Sequence, residues 1–255
     1  MPKAIDLNAD LGEGFGAYAL GEDRRVLAEV TSANIACGFH AGDPLTMDRT
    51  VALCLERGVA LGAHPGYHDL RGFGRREIQA DPREVEADVL YQIGALRAIA
   101  LSRGATLVHV KPHGALYTQA ATDPLLAQAI ARGIARAGGD LVFVGLSSSL
   151  VMREAARNEG LRFAAEAFAD RRYRNDGSLV PRSVPGAVLH DSAEVASQAV
   201  SIVRDGFVTA DDGSRVALVP ETLCLHGDTP EAVAHAQAVR GALAQAGVRL
   251  APLAR

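Results

Sequence analysis

Tryptophan is absent from the 255 residues, aromatic side chains make up only 5%, and cysteine occurs three times. With so few large rings, packing has to rely on close approach of small residues, alanine and glycine above all. Cys37, Cys54 and Cys224 are odd in number and show no CxxC spacing, which argues against a disulfide framework or a thiolate zinc site and for three buried reduced thiols. No apolar run approaches the roughly 18 residues of a membrane span, and Ile5-Asp6-Leu7-Asn8 is preceded by neither a basic segment nor an apolar signal region. Basic residues are scattered, and the net charge is -4, so no electrostatic footprint for a nucleic-acid backbone is visible. These absences predict a soluble, cytoplasmic chain without a polyanionic partner. Walker A spacing (GxxxxGK[ST]), HExxH and GxSxG are missing as well, so a P-loop nucleotide site, a local zinc helix and a serine elbow are not indicated.

What is present is alternation. Short apolar or alternating runs at 4–10, 32–39, 59–64, 106–113, 140–146, 161–168 and 221–226 read as strands, each followed by a helical pattern. Asp43-Pro44, Asp81-Pro82, Asp123-Pro124 and Thr229-Pro230 each place a capping oxygen before a proline, whose missing N–H costs nothing at a first helical position. Gly58, Gly104, Gly138, Gly160 and Gly247 close helices. A hairpin is expected at 207–219 around Asp211-Asp212-Gly213, and the polar 170–190 segment, without periodicity, reads as a long functional loop, either a lid or a contact surface for another chain.

Repeated strand–helix units imply parallel strands with right-handed crossovers, closed either as an open doubly wound sheet or as a barrel. Strand parity favours the barrel. One face carries Asp6, Asn8 and Asp10, then His109, Lys111 and His113, then Glu166 and Asp170, while Ile5, Leu7, Val108 and Val110 suit packing beneath helices. An open sheet covered on both faces has little place for such rows, whereas a barrel has an inward face whose upper end can be a solvated pocket. The expected architecture is a single-domain β/α barrel over 1–255, incomplete or seven-stranded.

The chemistry-bearing residues gather at predicted strand ends: Asp10 and Glu13, His40 and Asp43, His64 and Asp69, Lys111 and His113, Glu166 and Asp170, His226 and Asp228. Two imidazoles and a carboxylate, His64, His113 and Asp10, can hold a divalent metal with positions left for water, or act without metal as general base and clamps. Lys111, if inward, needs a carboxylate such as Asp6 or Glu166, or a substrate anion, to offset its desolvation. Arg71, Arg75 and Arg76 can grip a carboxylate or phosphate, and Arg171 opens the long loop. The glycines of Gly12-Glu13-Gly14-Phe15-Gly16 fit either an anion-binding turn or plain turn chemistry. Ser147-Ser148-Ser149 suits a helix cap better than a nucleophile, and His190 and His235 read as surface residues.

Four segments together carry a resemblance: Asp6-Leu-Asn-Ala-Asp-Leu-Gly-Glu-Gly-Phe-Gly16, Asn34-Ile-Ala-Cys-Gly-Phe-His-Ala-Gly-Asp-Pro44, Gly62-Ala-His-Pro-Gly66 and Lys111-Pro-His-Gly-Ala-Leu-Tyr117. In this order they resemble the LamB/YcsF family of 5-oxoprolinase proteins, from residue 5 to the Leu225-His226-Gly227-Asp228 segment. The resemblance implies a seven-stranded barrel of the glycoside hydrolase/deacetylase type. It further implies ATP-dependent opening of 5-oxoproline to glutamate, with ATP and Mg as co-substrate and partner subunits B and C. On that reading Asp10, His64, His113 and Lys111 are the catalytic candidates. Asn8, Glu13, Asn34, His40, Asp43, Arg71, Arg75, Glu166, Asp170, Arg171 and His226 are candidates for holding substrate. Whether ATP meets this chain or a partner stays open, as do two other functions: a metal-dependent deacetylase or amidohydrolase for a sugar or small amide, and a non-catalytic substrate-binding subunit.

Overall fold

Seven parallel strands close on themselves. In the computed structural model, which describes residues 4–226 and 231–253, they are β1 (Ala4–Leu11), β2 (Ser32–Ala36), β3 (Ala60–His64), β4 (Leu107–Val110), β5 (Val142–Leu146), β6 (Phe163–Phe168) and β9 (Thr222–Leu225). Neighbours pair in that order, and β9 returns to β1 with Asp6 opposite Thr222 and Asn8 opposite Cys224, which makes the sheet a barrel rather than an open layer. Two further strands, β7 (Phe207–Thr209) and β8 (Arg215–Ala217), form an antiparallel hairpin outside it. A two-residue strand, β10 (Arg249–Leu250), adds to the start of β1, a pairing too short to show in periodicity.

The helices are α1 (Asp23–Val26), α2 (Pro44–Arg57), α3 (Pro82–Ser102), α4 (Gly114–Ala120), α5 (Pro124–Ala137), α6 (Leu150–Asn158), α7 (Ser192–Val200) and α8 (Ala232–Gln245). Asp43, Asp81 and Asp123 cap α2, α3 and α5 with side-chain oxygens accepting first-turn N–H groups, and proline follows each. Ser149 caps α6 in the same way, which is the role of the serine run. The Thr229-Pro230 cap lies outside the described residues. A π-turn, Ser201–Asp205, ends α7 before the hairpin. No described helix is long and apolar enough to cross a membrane.

Ile5, Leu7, Ala9 and Leu11 are buried on the outer face of β1 beneath the helices, in one continuous core. Leu126, Ile130 and Ile134 face that core from α5; burying each contributes about 1.5–3 kcal/mol. Small residues let α3 and α5 approach closely, since a Cβ on Gly133 would come within 2.8 Å of the Glu86 carbonyl.

His235 is not a surface residue. It lies on the buried stripe of α8 beside Ala232, Ala236 and Val239, is 3% exposed, and its Nδ1 sits 2.8 Å from Ser192 Oγ, tying α8 to the start of α7. His190 is exposed. The 170–190 segment has little regular structure, yet it is a built wall rather than a loose loop. Tyr173 is fully buried, its hydroxyl accepting the Phe168 N–H at 2.7 Å, and Gln198 donates to the carbonyls of Phe168, Ala169 and Arg171.

Candidate active site

The inward residues of β1 are even-numbered, and each meets a polar partner across the barrel. At the base, the Asp6 carboxylate accepts the hydroxyls of Thr31, Ser32 and Thr222. One layer up, Asn8 donates to Glu166 and Thr222 and accepts from Asn34, which also donates to Asp10 at 2.8 Å. His109 reaches across β3 to the Asn34 side-chain oxygen Oδ1 at 2.7 Å. It can do so because residue 62 is glycine: a Cβ there would lie 2.0 Å from the His109 ring. Burial, together with Lys111 and His64, pushes His109 down to about 3, so it is neutral.

Lys111 follows β4 directly and its ammonium is enclosed. It donates to Asp10 Oδ1 at 3.1 Å, to Glu166 Oε1 at 3.0 Å and to Cys224 Sγ at 2.9 Å. Burial disfavours its charge, but Asp10, Cys224 and Glu166 outweigh that and hold its pKa well above the ordinary value. With three protons and three close acceptors, Lys111 is saturated by the protein. Burial also pushes Asp10 upward; His64 and Lys111 overcome it and keep that carboxyl well below the usual range. Glu166 is raised, its burial only partly offset by Lys111. Asp10 is therefore the carboxylate that stays ionised at the mouth.

Beside Asp10 lie three imidazoles. His64 Nδ1 is 2.7 Å from the Lys111 carbonyl and His113 Nε2 is 2.8 Å from the Phe73 carbonyl. A carbonyl only accepts, so both of those nitrogens carry hydrogen. The remaining nitrogens, His64 Nε2 and His113 Nδ1, then face each other at 3.0 Å, a contact that needs a proton or a metal ion between them. Acceptors also flank them: Asp10 Oδ2 is 3.4 Å from His64 Nε2, and Glu13 Oε1 is 3.7 Å from His113 Nδ1. His40 stacks on His113 at 3.7 Å, and its buried ring nitrogens make no hydrogen bond among the described residues. Burial lowers the pKa of His40 and His113 well below the ordinary value, which disfavours an imidazolium at either.

Such convergence of lone pairs calls for a cation. Ligating atoms of Glu13, His40, His64 and His113 lie within 4.8 Å of one another, a nitrogen and oxygen donor set that suits a borderline divalent ion. Histidines whose second nitrogen donates to a main-chain carbonyl are the usual form of metal-binding imidazole. The residues present therefore fit a metal, with Glu13 and His40, rather than the expected Asp10, completing the set with His64 and His113.

The opposite wall holds a dyad. His226 follows β9, and its Nδ1 and main-chain N–H both donate to Asp170, at 2.7 and 3.1 Å. Burial lowers the His226 pKa, opposed by Asp170, while His226 holds the Asp170 carboxyl far below its ordinary range against burial. One ligating atom each of His226, Asp10 and Cys224 also lie within 4.8 Å of one another.

Between the walls opens a cavity of about 380 Å³, lined by Asp10, His64, Lys111, His113 and His226, by Tyr117 and Phe168, and by Arg75, Arg171 and Arg182. Several of the expected substrate contacts do not line this cavity. Asp43 spends its carboxylate on the α2 cap and on the Gly16 N–H, which is the turn chemistry of the first glycine segment. Arg71 is exposed and does not line the cavity; Arg75, also exposed, is the arginine of that turn that does. Asp69 is bound by Arg76. Asn8 and Asn34 lie below the mouth, supporting Asp10 and Lys111 rather than facing the cavity. Asp228 lies outside the described residues.

Sequence reasoning missed Cys224, Tyr117 and Arg182. Cys224 was legible in part, since it precedes His226 by two positions and shares its inward parity. Tyr117 closes a segment already singled out, but its helix phase had to be known; Arg182 sits where no periodicity exists.

The fold and mouth define a β/α-barrel protein with a polar, histidine-rich pocket, and the chain belongs to the LamB/YcsF family, whose profile matches residues 5–255. It is 52% identical over 250 residues to the A subunit of 5-oxoprolinase from Bordetella pertussis, with 98% of this chain and 99% of that protein covered. A lactam utilization protein from Thermus thermophilus superposes with a TM-score of 0.92 at 49% identity, covering 98% of this chain and all of that one. A peptidoglycan deacetylase from Bacillus subtilis, at a TM-score of 0.51 and 11% identity over 98% of this chain and 87% of that one, shares the barrel alone.

Proposed function

We propose that this chain is the ring-opening subunit of an ATP-coupled 5-oxoprolinase, working with partner subunits B and C in the cytoplasm. The carrying observation is full-length similarity to one component of a 5-oxoprolinase, joined to a pocket that holds an ionised carboxylate and imidazole lone pairs around one small cavity. An unstrained five-membered lactam closes readily by effective concentration, so its opening needs an external driving force, which ATP with Mg supplies. None of the pocket's residues forms a familiar phosphate loop, and we place the ATP-consuming step on a partner.

Opening the ring requires water to add to the lactam carbonyl carbon, the carbon–nitrogen bond to break, and the nitrogen to leave with a proton as the amine of glutamate. Asp10, ionised and fixed by Lys111 and Asn34, orients the water and takes its proton. The Lys111 charge, though saturated by the protein, stabilises negative charge developing on the lactam oxygen. His226, its Nδ1–H held by Asp170, takes that proton from Asp10 at its other nitrogen and passes it to the departing ring nitrogen. His64, His113, His40 and Glu13 would hold a divalent ion, which would supply Lewis acidity at the pocket.

The test is reconstitution with the candidate partner subunits, reading ATP-dependent glutamate release from 5-oxoproline. The expected result is turnover by the assembly and none by the isolated chain; substantial activity from the chain alone refutes this division of labour. A second reading, a self-sufficient metal-dependent hydrolase of a sugar or small amide, is favoured by the facing nitrogens of His64 and His113. Chelator-sensitive amide cleavage by the isolated chain would establish it.

A further inference from the structure

Arg171 is 5% exposed, lines the cavity, and has no counter-ion in hydrogen-bond contact among the described residues. Its guanidinium donates to main-chain carbonyls, to Val180 at 2.6 Å and to Ala187 at 3.4 Å. The adjacent Asp170 carboxylate makes its hydrogen bonds to His226 and none to this guanidinium among the described residues. Arg182 and Arg75 line the same cavity. Burial first, then repulsion from Arg182, pushes the Arg171 guanidinium down to about 10, with Asp170 opposing. Burying a guanidinium that has no ion-pair partner in contact is costly unless an anion joins it.

The anchoring explains why the cost is tolerated. Tyr173 and Gln198 hold the 170–190 wall from behind, so the guanidinium is presented to the cavity already oriented. A preorganised fork of donors in a desolvated pocket matches the plane of a carboxylate. We propose that Arg171, with Arg182 and Arg75, forms the subsite for the carboxylate of the ring substrate and thereby selects carboxylated small cyclic amides over neutral ones. This rests on the ring-opening reading above and names the part of the substrate that the 170–190 wall recognises.

Calorimetric binding of 5-oxoproline and of its neutral analogue 2-pyrrolidinone to the full chain tests it. The wild type is expected to bind the carboxylated ring at least about tenfold more tightly, since hydrogen bonds to charged groups carry about a tenfold to hundredfold effect. Arg171→Lys keeps the charge but loses the fork, and Arg182→Gln changes a wall residue with little risk to folding. Each is expected to weaken 5-oxoproline by about 10- to 100-fold and leave 2-pyrrolidinone unchanged. Equal losses for both compounds, no preference in the wild type, or no binding of either overturns the subsite. Failure of the reconstituted wild type to release glutamate, with that preference intact, would instead refute the ring-opening reading.

Discussion

The base and the mouth of this barrel are built from the same residue types and differ in one respect. At the base, Asp6 has every oxygen met by the hydroxyls of Thr31, Ser32 and Thr222, and nothing in that layer asks for a ligand. Higher in the barrel, His64 and His113 turn ring nitrogens to each other with Asp10 and Glu13 alongside, and the Arg171 guanidinium donates to carbonyls rather than to a carboxylate. Buried polar groups closed among themselves are architecture; buried polar groups left facing one another mark where something else binds.

The largest effect that tests this contrast is on turnover. Asp10→Asn and His113→Ala are expected to lower kcat of the reconstituted complex by about 10²–10⁴ while circular dichroism stays native. Asp6→Asn, at the closed base, is expected to lower stability and leave kcat near wild type. Equal losses of activity from base and mouth would erase the distinction.

Acid separates the two states of the chain next. His109 is held neutral in the fold with its pKa at about 3, against an ordinary value near 6.5 in the unfolded chain. Its Nδ1 is buried without a hydrogen bond among the described residues, so protonation finds no acceptor there. As pH falls from about 6.5 toward 3 the unfolded chain takes up a proton that the folded one refuses, and stability drops, for this group alone on the order of several kcal/mol across the window. His40, His113 and His226, also depressed, act in the same direction. Urea midpoints measured at about pH 7.5, 6 and 5 should fall steadily, and a flat series contradicts the assignment.

Smaller still is the base itself. Asp6→Ala leaves the buried hydroxyls of Ser32 and Thr222 short of an acceptor, while Thr31 keeps the Leu7 carbonyl, and a loss of about 1–3 kcal/mol in urea unfolding is expected. Asp43 is the smallest case, a mouth-side carboxylate that is closed like those at the base. Asp43→Ala should cost about 1 kcal/mol through the α2 cap and leave KM for 5-oxoproline unchanged. A raised KM would return Asp43 to the pocket.

Much of this molecule was legible beforehand because its signals are local. Asp-Pro caps announce α2, α3 and α5 within three residues, and the polar parity of Asp6, Asn8 and Asp10 reports a barrel interior because side chains along a strand alternate strictly. His235 misled because one helical position beside a buried stripe looks like surface until the neighbouring helix is placed. Arg71 and Arg75 illustrate the same limit in a turn, where no period says which of two arginines lines the cavity.

The sequence by itself determined the barrel, the family and the gathering of carboxylates, imidazoles and a lysine at the strand ends, since these follow from alternation, capping and motif order. Only the tertiary structure decided which nitrogens hold hydrogen, which lysine protons are already used and which arginine is met by carbonyls instead of a carboxylate. His64 is set by a carbonyl 47 residues away, His113 by one 40 away, and Lys111 by a thiol 113 away. Protonation and satisfaction are properties of neighbours, and in a closed barrel the neighbours come from the whole length of the chain.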